Sequence, residues 1–172
     1  MKTSRANLGV LVLVAWSASA LAAERTKLPF DTYSGYFVSN KFEPDAKQSF
    51  VVISSQEDFD HVFGVAFVMQ DKSHRLPEDA FKSNLVLAVI KRGNAFWEYK
   101  VQSVVVEKGM AQLRYAVASK ATPETTFACP LIVSVPRGEY KGVVFIDGGK
   151  QVKTVNLDSD RGRKSGALQE AP

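Results

Sequence analysis

Alternation of apolar and polar residues recurs along the chain from Tyr33 onward and predicts β-strands. Short segments rich in β-branched and aromatic residues cover Tyr33–Val38 and Phe50–Ile53. Leu85–Ile90 is instead a continuous apolar run. Because such a run has no polar face, we expect it to form a central strand that is covered on both sides.

One segment follows the helical period instead. Its apolar residues are spaced three or four positions apart, at Phe59, Val62, Phe63, Ala66 and Phe67. Ser54 precedes them and Glu57 comes three residues later, a spacing typical of a capping box at the start of a helix. We therefore expect one main helix over residues 54–67, and a short helical turn at Pro77–Phe81.

Two alternating segments in the middle of the chain predict a β-hairpin. The side chains expected to face the core are Trp97, Tyr99, Val101 and Val105 on one strand and Leu113, Tyr115 and Val117 on the other. A two-residue turn would oppose Val105 to polar Gln112 and mix the two faces. A three-residue loop, Glu107–Gly109, instead opposes Val101 to Tyr115 and places glycine where the backbone needs a positive φ. The pattern therefore favours the three-residue loop.

The C-terminal half continues as strands. Alternation over Phe127–Val135 points Cys129 inward and Pro130 outward, and a residue without an amide hydrogen suits an edge strand or a bulge. A final hairpin is expected over Gly142–Leu157, since its Gly148–Gly149 pair supplies the positive φ of a tight turn.

These elements predict an α+β, mainly β fold. We expect a single globular domain over residues 23–157, with six to seven mostly antiparallel strands and one main helix. Residues 158–172 have the polar, glycine-containing composition of a flexible tail. Cys129 is the single cysteine, so stability must come from the packed core rather than from a disulfide within the chain.

The N-terminus has the three regions of a signal peptide. Lys2 and Arg5 precede the apolar run Leu8–Trp16, and Ala20 and Ala22 follow it. The run of about nine residues is far shorter than the ~20 residues that span a bilayer. We therefore expect residues 1–22 to be removed before Ala23, which leaves a periplasmic or secreted protein without a membrane span.

The charge of the chain gives no support for nucleic-acid binding. The formal net charge of +4 falls to +2 when Lys2 and Arg5 leave with the signal peptide. No basic stripe remains in the sequence. We therefore expect no nucleic-acid partner.

Candidate chemical residues are few. His61 is expected on the solvent side of the main helix beside Asp58, and His74 lies in a polar loop with Asp71. Two histidines without cysteine are a thin ligand supply for zinc. The sequence also lacks a nucleophile elbow, a zinc-protease motif and a phosphate-binding glycine loop. We therefore predict no metal site, no cofactor and no catalytic residue.

The strongest candidate for a binding surface is the segment after the central strand. Lys91, Arg92 and Phe96 place two cations beside an aromatic in what we expect to be a loop. Trp97 falls on the inward face, whereas Phe96 falls on the outward face. An exposed aromatic beside arginine is a common interface anchor, so these three residues form the predicted partner-binding site.

From about Phe50 to Phe145 the chain resembles the C-terminal domain of the protease-complex-subunit family PrcB. The similar segments are Val52–Phe59, Pro77–Phe81, Asn84–Ile90 and Cys129–Pro136. The family has a glycine-rich loop ending in Gly-Tyr after the central strand, and Gly93–Trp97 departs from it here. The resemblance implies association with a secreted protease and gives no active residue to carry over.

Three functions remain as hypotheses. The leading hypothesis is an exported non-enzymatic module that binds or stabilises a secreted or envelope protein, such as a protease. The second is a small exported hydrolase that uses His74 and a carboxylate cluster. The cluster comprises Asp58, Asp60, Asp71, Glu78 and Asp79. The third is a carrier whose core holds a small apolar ligand.

Overall fold

The computed structural model describes residues 25–66 and 74–157. The predicted signal peptide at 1–22, the tail at 158–172 and Asp71 lie outside the described residues. The described elements are β1 (Thr26–Leu28), β2 (Asp31–Tyr33), β3 (Tyr36–Val38), β4 (Gln48–Ile53), α1 (Gln56–Val62), β5 (Phe63–Val65), α2 (Ala80–Ser83), β6 (Asn84–Gly93), β7 (Ala95–Glu107), β8 (Met110–Ala121), β9 (Phe127–Pro136), β10 (Gly142–Asp147) and β11 (Lys150–Asn156).

Two sheets pack face to face around the main core. One has the strand order β1-β7-β8-β10-β11, and the other has the order β2-β9-β6-β4. Within these two sheets β8 and β10 are parallel, and every other neighbouring pair is antiparallel. Leu87 and Val133 from the four-stranded sheet meet Leu113, Tyr115 and Phe145 from the five-stranded sheet, and all five are fully buried.

The outer face of the four-stranded sheet is covered as well. The two helices and the β3–β5 pair form a third layer over it. Val38 and Phe59 from this layer pack with Val86 and Ala88 of β6. Strand β6 therefore lies between β9 and β4 in its sheet, and a further layer covers each of its faces. This confirms the prediction of a central strand at Leu85–Ile90.

Helix α1 begins one residue later than the capping pattern predicts. The N-cap is Ser55 rather than Ser54. Its Oγ accepts a hydrogen bond from the Asp58 backbone N–H at 3.1 Å and donates to the Asp58 carboxylate at 2.7 Å. The pairing of Ser54 with Glu57 is therefore wrong, although the capping chemistry is of the expected kind.

Helix α1 also ends earlier than predicted, at Val62 rather than at residue 67, which lies outside the described residues. The next residues form β5, which pairs antiparallel with β3. In that pair Gly64 lies opposite Phe37, whose ring packs over the glycine. The apolar spacing does not show where the helix ends. Val62, the last residue of α1, and Phe63, the first residue of β5, are both buried in the same core.

The β7–β8 hairpin turns through two residues, so the predicted three-residue loop is wrong. Glu107 pairs with Met110 across the turn. Lys108 and Gly109 between them have positive φ values of 53° and 79°. Two consecutive residues in the left-handed region give the short turn that best matches the twist of a hairpin.

A β-bulge at Gln102 lets this short turn coexist with the predicted pairing of Val101 with Tyr115. The extra residue on β7 changes which alternate side chains face the core. Beyond the bulge Val104 is fully buried, whereas Val105 is only partly buried. The predicted inward position of Val105 is therefore wrong.

The mainly β fold with one main helix is confirmed, but the structure has more strands than predicted. Tyr33–Val38 is divided between β2 and β3, which belong to different sheets. Strand β1 has only three residues, too few to show a period. A short helix follows Pro77 as predicted, but α2 spans Ala80–Ser83 and therefore begins and ends later than the predicted Pro77–Phe81. Among the described residues, no helix is long and apolar enough to span a membrane.

Two further predictions in the C-terminal half are confirmed. Cys129 on β9 is buried, with 7% of its surface exposed. Gly148 and Gly149 form the turn between β10 and β11, and both have positive φ.

Candidate functional site

An open cavity of about 750 Å³ lies beside the two sheets where β1 and β2 end. We call it the edge cavity. Its walls include Phe30, Thr32, Tyr33, His74, Trp97 and Tyr99. Phe30, Tyr33, Trp97 and Tyr99 supply aromatic surface that solvent can reach, and Ser34, Glu98 and Lys100 add polar and charged groups to the lining.

The edge cavity exists because the two N-terminal strands are short. Strand β1 pairs with β7 at residues 104–106, and β2 pairs with β9 at residues 132–134. On this side the remaining parts of β7 and β9 have no paired strand among the described residues. The uncovered edges of the two long strands therefore form the border of the cavity.

Three residues of β7 direct their backbone groups toward this open edge. The Gly148 N–H donates to the Tyr115 carbonyl, so Tyr115 directs its backbone toward β10. Because successive strand residues alternate in direction, Val101, which lies opposite Tyr115, directs its N–H and C=O away from β8. The same holds for Trp97 and Tyr99, at steps of two residues along β7.

The edge of β9 is less able to accept a further strand. The Arg92 N–H donates to the Lys47 carbonyl at 2.9 Å, so Lys91 faces β9 and pairs there with Cys129. The next residue, Pro130, then directs its backbone toward the uncovered edge. Proline has no N–H to offer, which fits the predicted edge position of this residue.

Two tyrosine hydroxyls lie deeper in the core beside the edge cavity. The Tyr99 hydroxyl donates to the Cys129 carbonyl at 2.9 Å. The Tyr115 hydroxyl is buried and has no hydrogen-bond partner among the described residues. Burial raises the pKa of both tyrosines, so both remain neutral hydrogen-bond donors at neutral pH.

His74 shares the edge cavity with one carboxylate, Glu98. No hydrogen bond joins these two side chains in the described residues. The carboxylates that the sequence grouped with His74 lie elsewhere: Asp58 and Asp60 are on α1, Glu78 and Asp79 precede α2, and Asp71 is outside the described residues. The described residues also contain no group of three His, Cys, Asp or Glu that could hold a metal ion.

The predicted loop from Lys91 to Phe96 is wrong. Strand β6 continues to Gly93, and β7 begins at Ala95. Lys91 and Arg92 are therefore neighbours on one strand, and their side chains point to opposite faces of the sheet. The structure does not bring the three candidate binding residues together on one surface.

The two cations of this segment make contacts within the fold. Lys91 Nζ lies 3.3 Å from a carboxylate oxygen of Asp147. The Arg92 guanidinium donates to the carbonyls of Ala46 and Phe42 and to Ser49 Oγ, at 3.1, 3.0 and 2.7 Å. These contacts hold the first residues of β4 and the segment before it against the end of β6. Arg92 therefore has a structural role in addition to any contact with a partner.

Phe96 offers more accessible surface than the two cations. It is 43% exposed, and its ring packs edge to face against Phe127 at 5.7 Å between centroids. His61 is also exposed, as predicted, and packs edge to face with Phe42. Of the residues predicted for partner binding, Phe96 is the one that remains available as an apolar contact.

Sequence reasoning missed the edge cavity. Of the two aromatic residues predicted to face inward on β7, Tyr99 packs against the core, whereas Trp97 is partly buried and lines the edge cavity. The pattern of side chains does not show over how many residues β1 pairs with β7. Comparisons of the chain with known protein families, curated proteins and solved structures found no match.

Proposed function

We propose that the chain is an exported, non-enzymatic accessory protein that binds a segment of another exported protein in the edge cavity. The supporting observation is the cavity itself, which opens between two uncovered strand edges and has an aromatic wall. Tyr33, Trp97 and Tyr99 supply large apolar areas of the kind that anchor protein interfaces. The unpaired backbone groups of β7 can also hydrogen-bond an extended segment.

The resemblance to the PrcB C-terminal domain favours a secreted or envelope protease as the partner. In this proposal the chain stabilises or accompanies the protease and takes no part in its chemistry. Phe96 is a second, exposed contact on the outer face of β7. A partner that covers both the edge cavity and Phe96 would extend around the end of the β6–β7 connection.

Capture of the partner tests this proposal. The tagged protein would be used to isolate binding proteins from the envelope fraction of the exporting cell. Thr32→Arg places a long cation in the edge cavity at an exposed residue, so the fold should tolerate it. We expect it to weaken binding by about tenfold or more, as loss of an interface anchor does.

A matched control separates this effect from a general effect of charge. Val152→Arg adds the same cation to exposed β11, an edge strand of the five-stranded sheet, at a residue that does not line the edge cavity. It should bind the partner with unchanged affinity. Equal affinity of Thr32→Arg and the unmodified protein would place the binding site elsewhere, and Phe96→Ala would then test the outer face.

A hydrolase is the second candidate, because His74 and Glu98 both line the edge cavity. The purified protein would be assayed with peptide and ester substrates. Hydrolysis that is lost in His74→Ala while partner capture remains intact would favour the enzyme. Partner capture that is intact in both His61→Ala and His74→Ala, without hydrolysis by the unmodified protein, supports the accessory function.

A further inference from the structure

We propose that two copies of the chain pair through the free edge of β7 and form a two-fold symmetric dimer. One sheet would then run through both copies. The segment Trp97–Val101 carries this inference because its sequence is complementary to itself when it is paired antiparallel. The proposal concerns the purified protein alone, so it does not depend on the proposed function.

The backbone of β7 has the geometry that such pairing needs. Trp97, Tyr99 and Val101 direct their N–H and C=O groups away from β8, toward an edge without a described partner strand. With Tyr99 opposite the second copy's Tyr99, Trp97 of each copy lies opposite Val101 of the other. Each of these pairs can exchange two hydrogen bonds, as in an ordinary antiparallel ladder.

The charges of the intervening residues fit the same register. Glu98 of one copy lies opposite Lys100 of the other, and the symmetry repeats the pair. These residues fall at the positions without backbone hydrogen bonds, where opposed side chains come closest. The two-fold pairing therefore places opposite charges together on the outer face of the sheet.

Within a single chain these two charges have no partner among the described residues. Both side chains are exposed, and neither takes part in an ion pair or a hydrogen bond there. Across the hairpin Glu98 lies opposite Ala118, and Lys100 lies opposite Ala116. A methyl group cannot neutralise either charge, so neither charge is compensated among the described residues, and a second copy can supply the opposite charge to each.

The limits of the free edge match the length of the complementary segment. Toward the hairpin turn it is closed by the bulge at Gln102 and by β1, which pairs with β7 at residues 104–106. On the neighbouring sheet Pro130 interrupts the edge of β9, which makes β7 the better acceptor.

Because paired copies cover the backbone groups beside the edge cavity, a dimer and a bound extended segment exclude each other at this edge.

Charge reversal tests the proposal. Sedimentation velocity of the purified protein over a range of concentrations should show a reversible monomer–dimer equilibrium. Glu98→Lys alone, or Lys100→Glu alone, opposes like charges at both symmetric positions. Each should raise the dimer dissociation constant by about tenfold.

The double variant Glu98→Lys with Lys100→Glu restores opposite charges and should recover the dimer. Lys153→Glu on exposed β11 is the matched control and should leave the equilibrium unchanged. Thermal unfolding of every variant verifies that the fold is intact. A protein that stays monomeric at all concentrations, or a dimer that ignores the single reversals, would overturn the proposal.

Discussion

At the scale of single residues, backbone conformation decides the β7–β8 turn. Lys108 and Gly109 both occupy the left-handed region, where a side chain is strained against its own backbone. A side chain at Gly109 would meet only the flexible Lys141 side chain, at 3.4 Å. A side chain would therefore fit at this position, and glycine is favoured because of its positive φ.

Gly109→Val should lower the free energy of unfolding by about 1–3 kcal/mol, because a β-branched residue resists this φ. The denaturation midpoint measures the effect. Lys108→Asn is the matched control, since asparagine tolerates the left-handed region, and it should leave the midpoint unchanged or raise it. A midpoint that does not move in Gly109→Val would contradict the assigned turn.

At the scale of elements, the β7–β8 hairpin combines a short turn with the bulge at Gln102. The bulge is one extra residue on β7, so removing it leaves a regular ladder with the same inward side chains. Val101 and Val104 would then be separated by a single outward residue. The opposite strand has no extra residue, and Arg114 lies directly opposite Ser103.

Deletion of Gln102 should therefore be tolerated, with a loss of unfolding free energy within about 1 kcal/mol, the range of mild changes. Deletion of Arg114 is the matched comparison. It enlarges the mismatch between the strands and should cost about 3 kcal/mol or more, because buried side chains leave their positions. Equal losses in the two deletions would show that the bulge lies elsewhere.

The same elements show how far sequence reasoning reaches. Continuous burial of β6 and the Gly148–Gly149 turn follow from local patterns of residues, and both were predicted. The early end of α1 was not, because it depends on pairing between β5 and the distant β3. The edge cavity was missed for a related reason. The number of β7 residues that pair with β1 depends on tertiary structure, and the alternation of apolar and polar side chains does not indicate it.

At the scale of the whole molecule, β6 lies in the middle of three layers, while one side of the two-sheet sandwich stays open. Long β7 has thirteen residues, whereas its neighbour β1 has three. The long strands thus extend past the short ones, and the edge cavity forms in the gap. This mismatch is the structural basis for both proposed interactions.

The proposed export of the protein is tested by the mass of the mature chain. Material from the exporting cell should begin at or very near Ala23, because Ala20 and Ala22 occupy the positions that the signal peptidase reads. Intact-mass spectrometry gives the answer directly. Retention of residues 1–22 in the exported protein would contradict the signal-peptide prediction.

Hydrogen exchange of single amides on β7 tests the open edge most directly. In dilute protein the amides of Trp97, Tyr99 and Val101 should exchange quickly, whereas those of Glu98 and Lys100, which bond to β8, should exchange slowly. Binding of the captured partner should slow the first three. Slow exchange of those three amides in the free monomer, or a partner that leaves them unprotected, would contradict the central claim that the edge of β7 is open and receives a partner.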